Sequence, residues 1–120
     1  MANHVVHFEI LGTDGKKTQA FYGNLFGWKI DANNPMNYGL VDTGSRALFG
    51  GGIGAGEDGK PAVRLYVEVD DLQTYLDKAK RLGCKELMPP TVIPNFVTIA
   101  MFADPDGNII GLVKAEPPLR

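Results

Sequence analysis

The chain contains the same pattern of secondary structure twice. Two helical segments each stop at a glycine, Gly27 and Gly83, which lie 56 residues apart. The segments around them are alike: Phe26-Gly27-Trp28-Lys29 and Leu82-Gly83-Cys84-Lys85. One strand precedes each helix and three follow it, which predicts β-α-β-β-β written twice in 120 residues. Because a unit of about 60 residues is marginal alone, we expect the two copies to share one core.

Periodicity and turn residues place the predicted elements. The first copy has strands at 5–11, 28–30, 38–41 and 47–53, a helix at 16–26 and a turn at Asn33-Asn34-Pro35. The second copy has strands at 63–69, 86–88, 96–102 and 108–114 and a proline-rich loop with Pro89, Pro90 and Pro94. Asp70 or Asp71 caps its helix. The apolar positions of this helix are Leu72, Tyr75, Leu76, Ala79 and Leu82. We expect a single domain made of module one at 4–53, a flexible Gly-rich junction at 54–61, module two at 62–114 and a loose tail at 115–120.

Composition excludes several classes of protein. Hydrophobic residues make up 44% and charged residues 22%, a mixture typical of a folded soluble domain. The formal charge of −2 leaves no basic surplus, so we expect no nucleic-acid partner. No apolar run approaches the roughly 18 residues that cross a bilayer, and the first residues lack a signal-peptide pattern. We therefore expect a cytoplasmic protein that does not bind membranes.

Three local motifs have simpler explanations than the chemistry they suggest. Residues 54–60 match both G-x-G-x-x-G and G-x-x-x-x-G-K, but a strand follows where phosphate binding needs a helix. Asp104-Pro105-Asp106-Gly107 is typical of a type I turn in which Asp104 bonds its own backbone, rather than of a calcium site. Cys84, the single cysteine, excludes an internal disulfide and is expected to be a small apolar residue rather than a nucleophile.

Four segments, in this order, resemble the vicinal oxygen chelate superfamily, which includes glyoxalase I, bleomycin-resistance proteins and extradiol dioxygenases. They are His7-Phe8-Glu9-Ile10, Phe21-Tyr22-Gly23-Asn24-Leu25-Phe26-Gly27-Trp28, Val67-Glu68-Val69-Asp70-Asp71 and Phe102-Ala103-Asp104-Pro105-Asp106-Gly107-Asn108. The resemblance covers residues 5–114. It implies an α+β fold in which two tandem β-α-β-β-β modules form curved mixed sheets around a cavity.

Alternation along the first and fifth strands divides their side chains between two faces. The apolar face is expected to pack under the helices: Val6, Phe8, Ile10, Leu65, Val67 and Val69. The other face, which the implied architecture turns toward the cavity, carries His7, Glu9, Arg64, Tyr66 and Glu68. Simple solvation of a sheet covered on one side is the alternative explanation for these five residues. If the cavity is enclosed, they need partners, and a ligand is one candidate.

The resemblance also bears on metals. The metal enzymes of the superfamily place a His or Glu on the first, fourth, fifth and eighth strands. His7 matches the first position, but residues 44–56 contain no His, Asp or Glu, and Arg64 and Gly111 stand at the fifth-strand and eighth-strand positions. One ligand of four does not hold an ion, so we expect no metal and no other cofactor, with a divalent metal as the alternative.

Two functions of different classes follow from the resemblance. In the first, the protein binds a small organic molecule without a metal. Arg64, Tyr66, Glu68 and Trp28 then contact the ligand, His7 donates or accepts a hydrogen bond, and Tyr38 or Phe49 adds apolar wall. An internal salt bridge from Arg64 to Glu9 or Glu68 is an alternative role for the arginine.

In the second, the protein is a lyase or isomerase of the glyoxalase type, or a dioxygenase-type enzyme. His7 and Glu9 are then the catalytic pair, in acid–base or metal-dependent chemistry. For either function the resemblance implies a homodimer.

Overall fold

Gly27 and Gly83 both adopt the left-handed backbone conformation expected of helix stops, with φ of 72° and 98°. The structure, a computed structural model, describes residues 2–44 and 50–115. Its elements follow the order β-α-β-β-β twice, and parallel and antiparallel strand pairs both occur. The predicted α+β fold of two tandem modules with mixed sheets is therefore confirmed.

The chain forms two compact units. The first unit is Val6–Leu65 and the second unit combines Met1–Val5 with Tyr66–Arg120. The division falls inside the fifth strand, a few residues beyond the predicted junction. Within the described residues, neither helix is long and apolar enough to cross a membrane.

The first module places its helix against a four-stranded sheet. Its elements are β1 (Val5–Gly12), α1 (Gly15–Phe26), β2 (Lys29–Asp31), β3 (Gly39–Asp42) and β4 (Gly50–Ala55), with strand order β2-β3-β4-β1. Strand β1 runs parallel to β4, and the pairing sets Glu9 beside Gly52. Asp14 begins α1 by accepting hydrogen bonds from the backbone N–H groups of Lys16 and Lys17.

The second module repeats this arrangement. Its elements are β5 (Ala62–Val69), α2 (Leu72–Arg81), β6 (Lys85–Ile93), β7 (Val97–Ala103) and β8 (Ile109–Lys114), with strand order β5-β8-β7-β6. Asp71, one of the two predicted caps, accepts a hydrogen bond of 3.0 Å from the Thr74 N–H. The core under α2 is formed by five buried residues: Val69, Leu72, Leu76, Ala100 and Leu112.

Two turns behave as the sequence indicates. The Asp104 carboxylate accepts hydrogen bonds from the Asp106 and Asn108 N–H groups, at 2.9 and 2.8 Å, which confirms the turn. The Gly-rich junction ends in a 3-10 turn at Glu57–Gly59, after which β5 begins. A strand thus stands where either phosphate-binding motif would require a helix.

Three predicted details are wrong. Pro89 and Pro90, predicted in a loop, lie in β6, where the pairing to β7 is irregular, and only Pro94 lies in a turn. Strand β6 is at the end of the strand order, and an edge strand tolerates residues that lack an N–H. Leu65 is 43% exposed, so it does not pack under a helix as predicted. Leu82 is 70% exposed because α2 ends at Arg81.

Candidate functional site

Four polar side chains of the first unit form one connected group, which we call the polar cluster: His7, Glu9, Tyr38 and Arg64. His7 and Glu9 are two residues apart on β1 and therefore share a face of the sheet. Tyr38 comes directly before β3, and Arg64 lies in β5. His7 and Tyr38 are half-buried, whereas Glu9 and Arg64 are buried.

The Tyr38 hydroxyl is the centre of the polar cluster. It donates a hydrogen bond of 2.8 Å to Glu9 Oε2 and lies 2.9 Å from His7 Nε2. A phenol hydroxyl has one proton, and here that proton is used toward Glu9. His7 Nε2 therefore carries a hydrogen and donates to the Tyr38 oxygen. The three side chains form a directed chain from the imidazole to the carboxylate.

Arg64 is the buried cation of the polar cluster and lies beside Glu9. Its Nη1 atom is 3.7 Å from Glu9 Oε1, and the two side chains are 9% and 10% exposed. The internal salt bridge considered for Arg64 is therefore present, with Glu9 as the partner. Removing one member of a buried pair typically costs about 3–5 kcal/mol, because the other charge stays buried without compensation.

Burial controls the charge state of His7. Desolvation lowers the pKa of the imidazole below its ordinary value of 6.5, and the nearby Glu9 carboxylate opposes this shift only in part. The imidazole is therefore neutral at pH 7. It meets the Tyr38 hydroxyl as an uncharged hydrogen-bonding group.

Tyr38 is held in place by its backbone and by the strand beneath its ring. The Asn34 side chain donates to the Tyr38 carbonyl at 2.7 Å and accepts from the Tyr38 N–H at 3.0 Å. The ring lies on β4 at Gly52 and Gly54, and a Cβ atom at Gly52 would overlap the phenol. Glycine at position 52 thus makes room for the ring that carries the bridging hydroxyl.

The remaining predicted site residues lie elsewhere. Trp28 packs against Phe8 and Phe26, with ring centroids 5.6 and 5.0 Å away. Since Phe8 alternates with His7 and Glu9 on β1, Trp28 belongs to the opposite face of that strand. Phe49 is outside the described residues.

Two further predicted site residues belong to the second unit. Tyr66 is buried with Ile99 and Met101, and its ring occupies the space beside Gly111. The backbone of Glu68 pairs with His4 and its carbonyl accepts from the Asn3 side chain.

The residues of the implied metal positions differ from a metal-binding set. The described part of the fourth strand, residues 50–55, contains only Gly, Ile and Ala. Side chains at Gly52 and Gly111 would overlap the rings of Tyr38 and Tyr66. Over residues 2–44 and 50–115, no three His, Cys, Asp or Glu side chains group together as a metal site would require.

Tyr38, predicted only as apolar wall, instead contributes its hydroxyl to the polar cluster. Two features of the sequence point to it afterwards. Asn34 stands four residues before the tyrosine, where an amide side chain can bridge the ends of a turn. Glycines at 50, 52 and 54 repeat with the period of a strand, which leaves one face open for a ring.

Comparison with known proteins agrees with this fold. Residues 4–112 match the family model of the Glyoxalase/Bleomycin resistance protein/Dioxygenase superfamily. CFP32 of Mycobacterium bovis and of Mycobacterium tuberculosis, provisionally named a glyoxylase, is 31% identical over 112 residues. That region is 87% of this chain but 42% of CFP32, so the chain spans about two fifths of these relatives. A glyoxylase-like domain-containing protein of Didymella fabae is 26% identical over 83% of this chain and 84% of its own length.

Solved structures share the fold at low sequence identity. Methylmalonyl-CoA epimerase from Mycobacterium tuberculosis has a TM-score of 0.63 at 17% identity, and the match covers 94% of this chain and 88% of the epimerase chain. A glyoxalase/bleomycin resistance protein/dioxygenase superfamily member from Vibrio splendidus has a TM-score of 0.65 at 14% identity, covering 95% of this chain and 100% of its own. With the family model matched over most of its length, the chain belongs to the Glyoxalase/Bleomycin resistance protein/Dioxygenase superfamily.

Proposed function

We propose that this protein binds a small organic molecule at the polar cluster and that it does so without a metal ion. The observation that carries the proposal is the position of the Tyr38 hydroxyl, 2.9 Å from His7 Nε2 and 2.8 Å from Glu9 Oε2. It joins the two predicted catalytic residues into one hydrogen-bonded surface. Half-buried hydrogen-bonding groups beside an aromatic ring are typical of small-molecule sites.

The same contacts argue against a metal at His7. The Nε2 atom is already engaged by Tyr38, so a metal ion at this nitrogen would have to displace that hydrogen bond. The Arg64 guanidinium, which lies against Glu9, would repel a cation. The absence of space for a side chain at Gly52 removes the fourth-strand ligand. The residues present therefore do not fit the metal set of the related enzymes.

Metal independence is tested by elemental analysis of the purified protein and by thermal denaturation with nickel, zinc, cobalt and manganese. We expect no stoichiometric metal and no rise in Tm. His7→Ala is the matched variant, because it removes the one side chain that stands at a family ligand position. A bound equivalent of metal that this variant loses would contradict the proposal.

Ligand binding is tested by recording histidine side-chain NMR signals of the protein against a library of small organic compounds. Binding at the polar cluster should move the His7 signals and leave those of exposed His4 in place. Tyr38→Phe should lower the affinity of the compounds that shift the His7 signals by roughly fivefold to tenfold, because one hydrogen bond contributes about 1 kcal/mol net. Compounds that bind wild type and Tyr38→Phe equally would exclude the polar cluster as the site.

A second candidate is an enzyme that uses His7 as an acid–base residue. The lowered pKa favours it, because a neutral imidazole can accept a proton near pH 7 and Tyr38 connects it to a carboxylate. The test measures turnover of a panel of substrates and incorporation of deuterium into them from D₂O. The panel includes methylmalonyl-CoA, because some structural neighbours are named methylmalonyl-CoA epimerase. His7→Ala should abolish any activity found, while His4→Ala should retain it. Unchanged activity in His7→Ala would remove His7 from the chemistry.

A further inference from the structure

We propose that the polar cluster accepts an uncharged group that can donate a hydrogen bond, such as an amide or a hydroxyl, and selects against carboxylates and phosphates. Glu9 is the residue that determines this selectivity. The inference rests on the proposed function, since it names the chemical class of the ligand for the same site.

The polar cluster has a buried, charged layer and a half-buried, uncharged layer. Its two charged side chains, Glu9 and Arg64, are buried and lie 3.7 Å apart. Its two half-buried side chains are the Tyr38 phenol and the His7 imidazole. The lowered pKa of His7 makes the imidazole neutral, and Tyr38 is a neutral phenol, so the layer that an incoming molecule meets first carries no charge.

The two buried charges behind that layer have opposite sign. One carboxylate faces one guanidinium, so the four side chains have no net charge at neutral pH. An anionic ligand would have to approach the Glu9 carboxylate, which repels it, and the Arg64 guanidinium already faces that carboxylate. A carboxylate or phosphate also loses far more than an amide or a hydroxyl on leaving water.

Glu9 lies where a change of charge alters the selectivity most directly. Its two oxygens hold the two neighbours: Oε1 lies against Arg64 and Oε2 accepts from Tyr38. Glu9→Gln keeps the size of the side chain and an oxygen that can accept from Tyr38, but it removes the negative charge. The substitution makes the surroundings of the Arg64 guanidinium more positive by one charge, which favours an anion over a neutral ligand compared with wild type.

The experiment compares benzamide with benzoate, two probes of nearly the same shape that differ in charge. Each is titrated at neutral pH into protein with isotope-labelled histidine, and the dissociation constant is taken from the His7 signals. We expect wild type to bind benzamide at least about tenfold more tightly than benzoate. Glu9→Gln should reverse the order, and Glu57→Gln, which removes an exposed charge of the 3-10 turn, should leave it unchanged.

The outcomes separate the two proposals. A wild-type preference for benzoate, or an unchanged preference in folded Glu9→Gln, would overturn the inference while leaving the polar cluster as the binding site. If a probe binds elsewhere on the protein while neither probe moves the His7 signals, the proposed function itself would be overturned. The wild-type comparison decides the matter even if Glu9→Gln does not fold.

Discussion

Tyr38 connects the polar cluster through a single oxygen atom that contacts two side chains of β1. Its hydroxyl bonds Glu9 at 2.8 Å and meets His7 at 2.9 Å, while Asn34 fixes the backbone on which the ring is mounted. Hydrogen bonds to charged groups contribute about 1.5–3 kcal/mol. One hydroxyl therefore affects both the stability of the module and the orientation of His7.

Replacement of Tyr38 by Phe should lower the free energy of unfolding by about 1–3 kcal/mol, because the Glu9 carboxylate loses a buried donor. Urea denaturation measures the change. Tyr75→Phe is the matched control: Tyr75 is partly buried on α2, and the described residues offer its hydroxyl no hydrogen bond. Equal costs for the two variants would show that the Tyr38 hydroxyl does not bridge the polar cluster.

His7 gives the stability a defined dependence on pH. Its pKa in the folded protein is lowered from 6.5, so below that pH the unfolded chain binds a proton at His7 that the folded protein resists. The free energy of unfolding should therefore decrease as pH falls from about 7.5 to about 5.5, and level off above that range. Urea denaturation as a function of pH should show a smaller decrease for His7→Gln than for wild type. The same decrease in both, with His4→Gln as the control, would contradict the assignment.

At the scale of elements, β4 is built to carry an aromatic ring on each face. Gly51 lies under the Phe8 ring, and Gly52 lies under the Tyr38 ring. Since successive residues of a strand point to opposite faces, the two glycines serve opposite sides of the sheet. The glycine excess in this part of the chain thus reflects close packing as well as turns.

Substitution of Gly52 by Ala should cost about 1–3 kcal/mol of stability, the usual cost of overpacking. Gly54→Ala should cost less, because its Cβ would reach the Tyr38 ring only at 3.2 Å. Urea denaturation of both variants gives the comparison. In a Tyr38→Ala background the cost of Gly52→Ala should largely disappear. A cost that stays the same in that background would exclude the ring as its cause.

The sequence predicted most elements because their signals are local. Asp71 caps a helix, Gly27 ends one, and Asp104 closes a turn within a few residues of itself. Strand β6 was missed because prolines normally interrupt strands, and only its edge position makes them acceptable. The contacts of the Tyr38 hydroxyl with His7 and Glu9 were not predicted. They depend on the turn that Asn34 stabilises and on the strand register that sets Glu9 beside Gly52. Strand register is a property of the tertiary structure, which a local sequence pattern does not determine.

At the scale of the whole molecule, the two modules use their helices differently. Helix α2 buries Leu72, Leu76 and Ala79, whereas α1 has no buried residue. Three apolar side chains of α1 are more than half exposed: Phe21, Leu25 and Phe26. Exposed apolar surface of this kind is typical of interaction sites, and it supports the homodimer that the superfamily resemblance implies.

Homodimer formation stays a prediction, and light scattering of the purified protein checks it. We expect a mass of twice the 13.0 kDa of the chain. Phe21→Lys combined with Leu25→Lys should shift the mass toward that of a single chain if α1 forms the interface. A wild-type mass of 13.0 kDa would contradict the homodimer.

We propose that the Tyr38 hydroxyl forms hydrogen bonds with both His7 and Glu9 and that no metal ion binds at this site. A crystal structure determined with millimolar nickel or zinc in the crystallisation solution tests this proposal most directly. We predict the Tyr38 hydroxyl within hydrogen-bond distance of both His7 and Glu9, with Arg64 against Glu9 and no metal density at the imidazole. Metal density on His7, with the Tyr38 hydroxyl displaced from it, would contradict the account.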